Sequence, residues 1–483
     1  MHQIIAYFQG FKVLQDNPRE YWIVQAINFI ETAAYFCIMF IAVVFLSDDI
    51  GWSDADAGYL VTALALAIAI LLPITGFLVD RLGLRKAAIL AMVVNTISRL
   101  GIFACGLLED LPGRGYLIVL FFMLSSLGIA LIVPLYQVAN RQLSSERSRG
   151  ASFSFWFLVT NVGMIASGFL LDFIRLTMSL GNSYLLGISA LLTALAMILG
   201  SLFIRHTGQF KTEKNIDDEA VIEFNNLTPW QRFICVISNS AFKRFILLLV
   251  SVLGVRSLYL YTSFIFPKYW LRVIGPDVEM GFLQAINPAL VVIGIILFIP
   301  FANRMKVFNA LLLGSFISSL SLLVLTLPYQ WFGDDVASGY FRMTVLMLII
   351  FSVGEIVWSP KLNEYIAAIA PKGQEGSYFG LGMIPFFISK LIIGGLSGHM
   401  LMRLSPEGIG EQIRAGSLVF WDRPEAMFLI LFIWAIAGVL IAFIFRAWLT
   451  KGIQIDPIQN SELDDKNKLP NEDEEQIEIT CGK

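Results

Sequence analysis

Apolar runs of about 20 residues recur along the whole chain, separated by short polar stretches. A helix of that length matches the roughly 30 Å hydrocarbon core of a bilayer at about 1.5 Å per residue. Lipid satisfies no backbone N–H or C=O, so a crossing segment must bond within itself or close into a barrel. These runs are uniformly apolar where barrel strands alternate, which leaves helices. Composition agrees: 57% of 483 residues are hydrophobic and 15% are charged, against about a quarter charged in soluble domains. The runs predict spans near 22–46, 57–79, 87–108, 115–138, 152–174, 183–204, 244–271, 281–302, 306–327, 341–369, 376–402 and 426–449. The expected class is an all-α membrane protein of about twelve transmembrane helices.

Basic residues in short loops stay on the cytoplasmic side. Loops with Arg81, Arg85 and Lys86, with Arg141, Arg147 and Arg149, and with Arg205, Lys211, Lys214, Lys243 and Arg244 alternate with acidic ones. The acidic loops hold Asp48, Asp49, Asp54 and Asp56, and Asp334 and Asp335. This pattern predicts an integral, multi-pass protein of a cell membrane or bacterial inner membrane, with both termini in the cytoplasm. The expected organisation is a cytoplasmic segment 1–21, a first bundle 22–204, a cytoplasmic linker 205–243 with an amphipathic stretch, a second bundle 244–449, and an acidic, disordered tail 450–483. The sequon at Asn226 falls on the cytoplasmic side and is discounted.

Between the second and third spans the chain reads Gly76-Phe77-Leu78-Val79-Asp80-Arg81-Leu82-Gly83-Leu84-Arg85-Lys86. Gly76 offers close helix approach, Asp80 can accept from helix amino-terminal groups or basic side chains, and the cations face the cytosol. The segment resembles the signature loop of the major facilitator superfamily, G-x-x-x-D-R-x-G-R-R/K, with Leu84 in place of its first basic residue. Asn303-Arg304, between the eighth and ninth spans, echoes Asp80-Arg81. The resemblance implies two six-helix bundles arranged as parallel repeats and a gating role for Gly76, Asp80, Arg81, Gly83, Arg85 and Lys86.

Two further windows resemble the proton-dependent oligopeptide transporters within that superfamily. Phe153-Ser154-Phe155-Trp156-Phe157, continuing to Asn161-Val162-Gly163, is similar to their fifth-helix signature. Gly354-Glu355-Ile356-Val357-Trp358-Ser359-Pro360, running on to Ala370-Pro371, resembles their tenth helix, where the Glu faces the substrate's amino group. The first-helix E-x-x-E-R of that family is represented here by Asn28, Glu31 and Thr32, and its later Arg by Met39. The fourth-helix Lys before a Pro is represented by Val133. Three cations that would meet a peptide carboxylate in the first half are therefore missing, and with them the charge-assisted bonds they would make.

An ionisable group near the bilayer centre is costly and commonly faces a cavity or a partner. Glu31, beside Tyr35, is the first candidate to carry a coupling proton. Arg256, with Tyr259 one turn on, and Glu355 are candidates to pair with each other or with the substrate. A closed structural pair is the plainer alternative. Lys361 and Glu364 share a helical face, as a gate pair or as ordinary neighbours. Asn161 and Asn287 are expected to line a cavity or to bond between helices, and Lys390 and Arg99 are cations whose partners the sequence does not reveal.

The net charge of −3 excludes a basic field for nucleic acid. His2, His206 and His399, and the four cysteines, are scattered, so no metal site, disulfide framework or catalytic triad is expected, and no cofactor. The expected function is secondary active transport of a small polar or zwitterionic solute by a monomer within the lipid bilayer, coupled to protons. A lipid or lysolipid flippase on the same fold, and a non-transporting sensor or assembly protein, are the alternatives.

Overall fold

The computed structural model describes residues 12–145, 148–204, 240–302, 305–369 and 384–450. The linker, the acidic tail, Arg147, Asn303-Arg304 and the Ala370-Pro371 motif lie outside them. Twelve long helices run through the described residues: α1 (Arg19–Met39), α2 (Asp54–Leu82), α3 (Leu84–Leu107), α4 (Arg114–Gln142), α5 (Arg149–Asp172), α6 (Asn182–Phe203), α7 (Ser240–Phe264), α8 (Met280–Ala302), α9 (Val307–Val324), α10 (Val336–Ile369), α11 (Ile384–Leu404) and α12 (Pro424–Ile444). Ten are long and apolar enough to cross a membrane, and α8 contributes a shorter apolar stretch, Met280–Gly294.

Local chemistry sets the helix ends. Ser53 Oγ accepts the Asp56 N–H at 3.1 Å, and Asp54 and Asp56 complement the positive end of α2. Gly83, at φ 75°, turns the chain directly into α3. Two predicted spans break earlier than their apolar runs. The first stops at Met39 and continues as short turns over 42–49; the seventh stops at Phe264 and restarts as Phe266–Val273 with Pro267 in its first turn. Proline lacks an N–H to continue a helix and suits the first turn of a new one.

Contacts divide the helices into two sets. Within the first, α3 packs on α4 and α6, α2 on α4, and α1 on α5 and α6. Within the second, α9 packs on α10 and α12, α8 on α10, and α7 on α11 and α12. Adding six to each number of the first set gives the second, so the halves share one packing plan. The major contacts between halves, α2 with α11 and α5 with α8, exchange under the same operation, as a twofold relation requires.

Small residues make these contacts close. Gly254 meets Ala435, and Gly314 meets Gly354 and Trp358. Large apolar side chains such as Ile70, Ile74, Leu191 and Ile444 stand exposed on the outside while serines and threonines are buried. Burial of that kind suits a molecule whose solvent is lipid, since apolar side chains gain nothing by leaving it.

Candidate functional site

Glu31 and Arg99 meet inside the first half. Arg99 Nη2 donates to Glu31 Oε1 at 2.7 Å and Nη1 to Oε2 at 3.1 Å. Thr193 Oγ1 of α6 donates to Oε2 at 2.8 Å, and the Asn95 amide of α3 to Oε1 at 3.1 Å. Arg99 also contacts the Thr193 hydroxyl. With exposures of 3% and 1%, acid and base are withdrawn from solvent, so the bidentate geometry and the added donors are what offset their desolvation. One turn away on α1, Asn28 donates to Thr160 Oγ1 of α5 at 3.2 Å.

A second constellation lies on the second half where it faces the first. On α7, Tyr259 reaches across to Met164 Sδ of α5 at 3.4 Å and is within electrostatic reach of Tyr35 on α1. Arg256 is one turn earlier on the same face, because three residues turn a helix by about 300°, and it interacts electrostatically with Glu355 of α10. Asn287 Nδ2 of α8 donates to Glu355 Oε2 at 2.7 Å and to Ser352 Oγ at 3.1 Å. Asn161 lies on the α5 face that carries Met164; its amide donates to its own helix at the Phe157 carbonyl, 2.9 Å away. Tyr35, Tyr259, Arg256, Glu355 and Lys390 are all partly accessible.

The two halves are clamped at the end that holds the acidic loops. Asp54, 5% exposed, accepts from Arg272 Nη1 at 2.7 Å and lies 3.7 Å from Lys268 Nζ, which also contacts Asp48. Arg272 donates further to the Ser405 carbonyl at 2.9 Å. Asp172, at the end of α5, accepts the Gly281 and Phe282 N–H groups at 2.7 Å each, and so caps α8 from the opposite half. Tyr59 Oη and His399 Nε2 meet at 2.8 Å across α2 and α11. Between these contacts the helices touch through glycines: a Cβ on Gly58 would stand 2.6 Å from the Gly394 carbonyl oxygen, and Gly398 abuts Asp54 and Ala55.

Among the loop-motif residues, Arg85 Nη2 donates to the Ser201 carbonyl at 2.7 Å, in the last turn of α6 where cations are favoured. Arg81 and Lys86 are exposed. Gly76 faces open space, so the close approach expected of it is not made in this conformation. The side chains of Asp80 and Glu364 lie outside the described part. Lys361 is buried and sits about 120° round α10 from Glu355, on the side of Gly354 and Trp358 that packs against α9.

Sequence reasoning left two groups unassigned. It gave Arg99 no partner, and it placed Lys268 inside a seventh span instead of in a clamp. A signal for the clamp was present: the loop after the first helix is acidic, the corresponding loop after the seventh carries Lys268 and Arg272, and a twofold relation brings corresponding loops together.

Comparison with known proteins gives a concordant result. The family model described as Major Facilitator Superfamily matches residues 25–394. The chain is similar to the in meso crystal structure of the POT family transporter PepTSo, with a TM-score of 0.66 and 14% identity over 90% of this chain and 98% of that one. A POT family transporter in complex with 5-aminolevulinic acid gives 0.68 and 17% over 90% and 97%. The nucleoside transporter NupG gives 0.65 and 13% over 88% and 99%. No curated protein sequence matches it. With twelve helices in two like halves and a family match over most of its length, the chain belongs to the major facilitator superfamily of membrane transporters.

Proposed function

We propose that this protein moves a small polar or zwitterionic solute, such as an amino acid or a peptide-like molecule, by alternating access coupled to protons. The observation that carries the proposal is the group of Arg256, Glu355 and Asn287 on the seam between the halves. Charged side chains in a membrane interior are expensive, and their placement on the seam suits contact with a solute passing between the bundles. If the basic loops are cytoplasmic, the clamped end is the outer one. A relative of the same fold was solved with 5-aminolevulinic acid, a solute bearing both an amine and a carboxylate.

For coupling, Glu31 was the first candidate on sequence grounds. Both its oxygens are occupied by Arg99, Thr193 and Asn95, whereas Glu355 faces one amide and a cation on the seam. We therefore assign the coupling proton to Glu355, with Glu31 second. Proteoliposomes with an imposed pH gradient should accumulate labelled solute from pools of amino acids or short peptides. Glu355→Gln should abolish uphill accumulation while leaving exchange. If no soluble pool moves but a fluorescent phospholipid does, the protein is a flippase; if neither moves, it is not a carrier.

A further inference from the structure

We propose that the short helix Phe266–Val273 is shared between two buried acids, one in each half: Asp54 holds it while the acidic-loop end is clamped, and Glu425 accepts from its Tyr269 hydroxyl when the clamp opens. This deepens the alternating-access reading above and rests on it. The short helix has two working faces. Lys268 and Arg272, about 40° apart around the helix axis, reach Asp54 of the first half. Tyr269, about 100° round from Lys268, turns into the second half and is fully buried there. Its ring meets Phe428 of α12 edge-on with centroids 4.9 Å apart, and Tyr340 of α10 at 6.3 Å.

Glu425 lies one turn before Phe428, in the first turn of α12, and is 3% exposed. Tyr340 Oη donates to its Oε1. Its Oε2 and the Tyr269 hydroxyl are both buried, and neither makes a hydrogen bond among the described residues. The two side chains are within electrostatic reach of each other. A buried acceptor without a donor, and a buried donor without an acceptor, each lose the bonds that water would give them. One bond between them removes both deficits. That bond is absent while Lys268 and Arg272 hold the helix at Asp54.

The break in the seventh span makes room for a shift. α7 stops at Phe264, and Pro267, in the first turn of the short helix, has no N–H to bond to the preceding turn. When the clamp releases, a movement of this segment brings Tyr269 onto Glu425, which two tyrosine hydroxyls then clasp. The ion pairs lost on one face are thereby offset in part by a hydrogen bond to a carboxylate on the other. The segment has two arrangements, and each half stabilises one of them.

The test reads the separation of the two halves at the acidic-loop end. Nitroxides on cysteines at Tyr116 of the first half and Trp331 of the second, both exposed, would report their distance distribution by double electron–electron resonance in lipid nanodiscs, with Cys37, Cys105, Cys235 and Cys481 replaced by serine. Asp54→Asn should enlarge the longer-distance population. Adding Tyr269→Phe, which keeps the ring and removes only the unbonded hydroxyl, should lower the ratio of longer to shorter distances roughly tenfold, the worth of one hydrogen bond to a charged group. In a Glu425→Leu background Tyr269→Phe should change nothing further; should Glu425→Leu not fold, the result of Tyr269→Phe decides alone. A ratio that Tyr269→Phe leaves unchanged or raises, or an equal effect with and without Glu425, overturns the shared helix while leaving the alternation of the halves standing. A single distance in every variant, Asp54→Asn included, would mean that the halves do not separate, and the alternating-access reading would fall together with the inference that rests on it.

Discussion

Arg99 and Glu31 bear directly on how much of a membrane protein's interior a single residue can hold together. Neither can lose its partner cheaply, because the survivor would be a charge without water. Arg99→Leu should lower stability by about 3–5 kcal/mol, seen as a fall in the melting temperature of the purified protein. Adding Glu31→Gln to it should recover most of the loss, since the stranded charge is then gone. A double variant no more stable than Arg99→Leu would mean that the arginine acts through packing instead. Both residues were visible as intramembrane charges, yet they are 68 positions apart, and apolar periodicity does not say which helix faces which. Glu355 is different: its window resembled a known tenth-helix pattern, but its bond to Asn287 depends on the packing of α8 on α10, which no sequence spacing states.

At the scale of elements, helix positions were legible because lipid imposes a length on every span, while their ends were blurred where apolar residues continue past a break. The runs ending near 46 and 271 show this: Phe40 and Phe266 are as hydrophobic as the helices they follow, so hydropathy passes over the turn. Gly394 and Gly398, four residues apart, put two small residues on one face of α11, although the sequence does not name the helix that face meets. That partner is α2 at Gly58, and the contact is so close that a side chain on Gly58 must push the helices apart. Gly58→Val should therefore disfavour the clamped state. Cysteines at Tyr59 and His399, whose rings are 5.9 Å apart, should cross-link readily in the parent and about fivefold less in Gly58→Val, a shift worth about 1 kcal/mol. Equal yields in both would show that α2 and α11 separate at no cost, or that the bundles yield elsewhere.

For the molecule as a whole, the duplicated packing plan and the clamp at one end are the features on which the proposed alternation between two states rests. Asp54 is the centre of the clamp, shared by Lys268 and Arg272 and nearly sealed from solvent, whereas Asp48 and Glu407 are 42% and 84% exposed. Exposed pairs are screened by salt and contribute little, so the clamp's strength should reside in Asp54. Asp54→Asn would leave two cations facing a neutral amide across the seam. If that costs the clamped state about 2 kcal/mol, the equilibrium moves about thirtyfold toward opening at that end. A cysteine at Ala285, beside Gly168 on the α5–α8 seam, should then react faster with an impermeant maleimide added from the acidic-loop side. A cysteine at Asn161 should react more slowly from the opposite side. The shift should persist in high salt, because the group removed is buried. Halves that rock as units must trade one access for the other; a rise at both positions would mean that Asp54 holds the structure together without selecting between states, and the alternating-access reading would then need a different hinge.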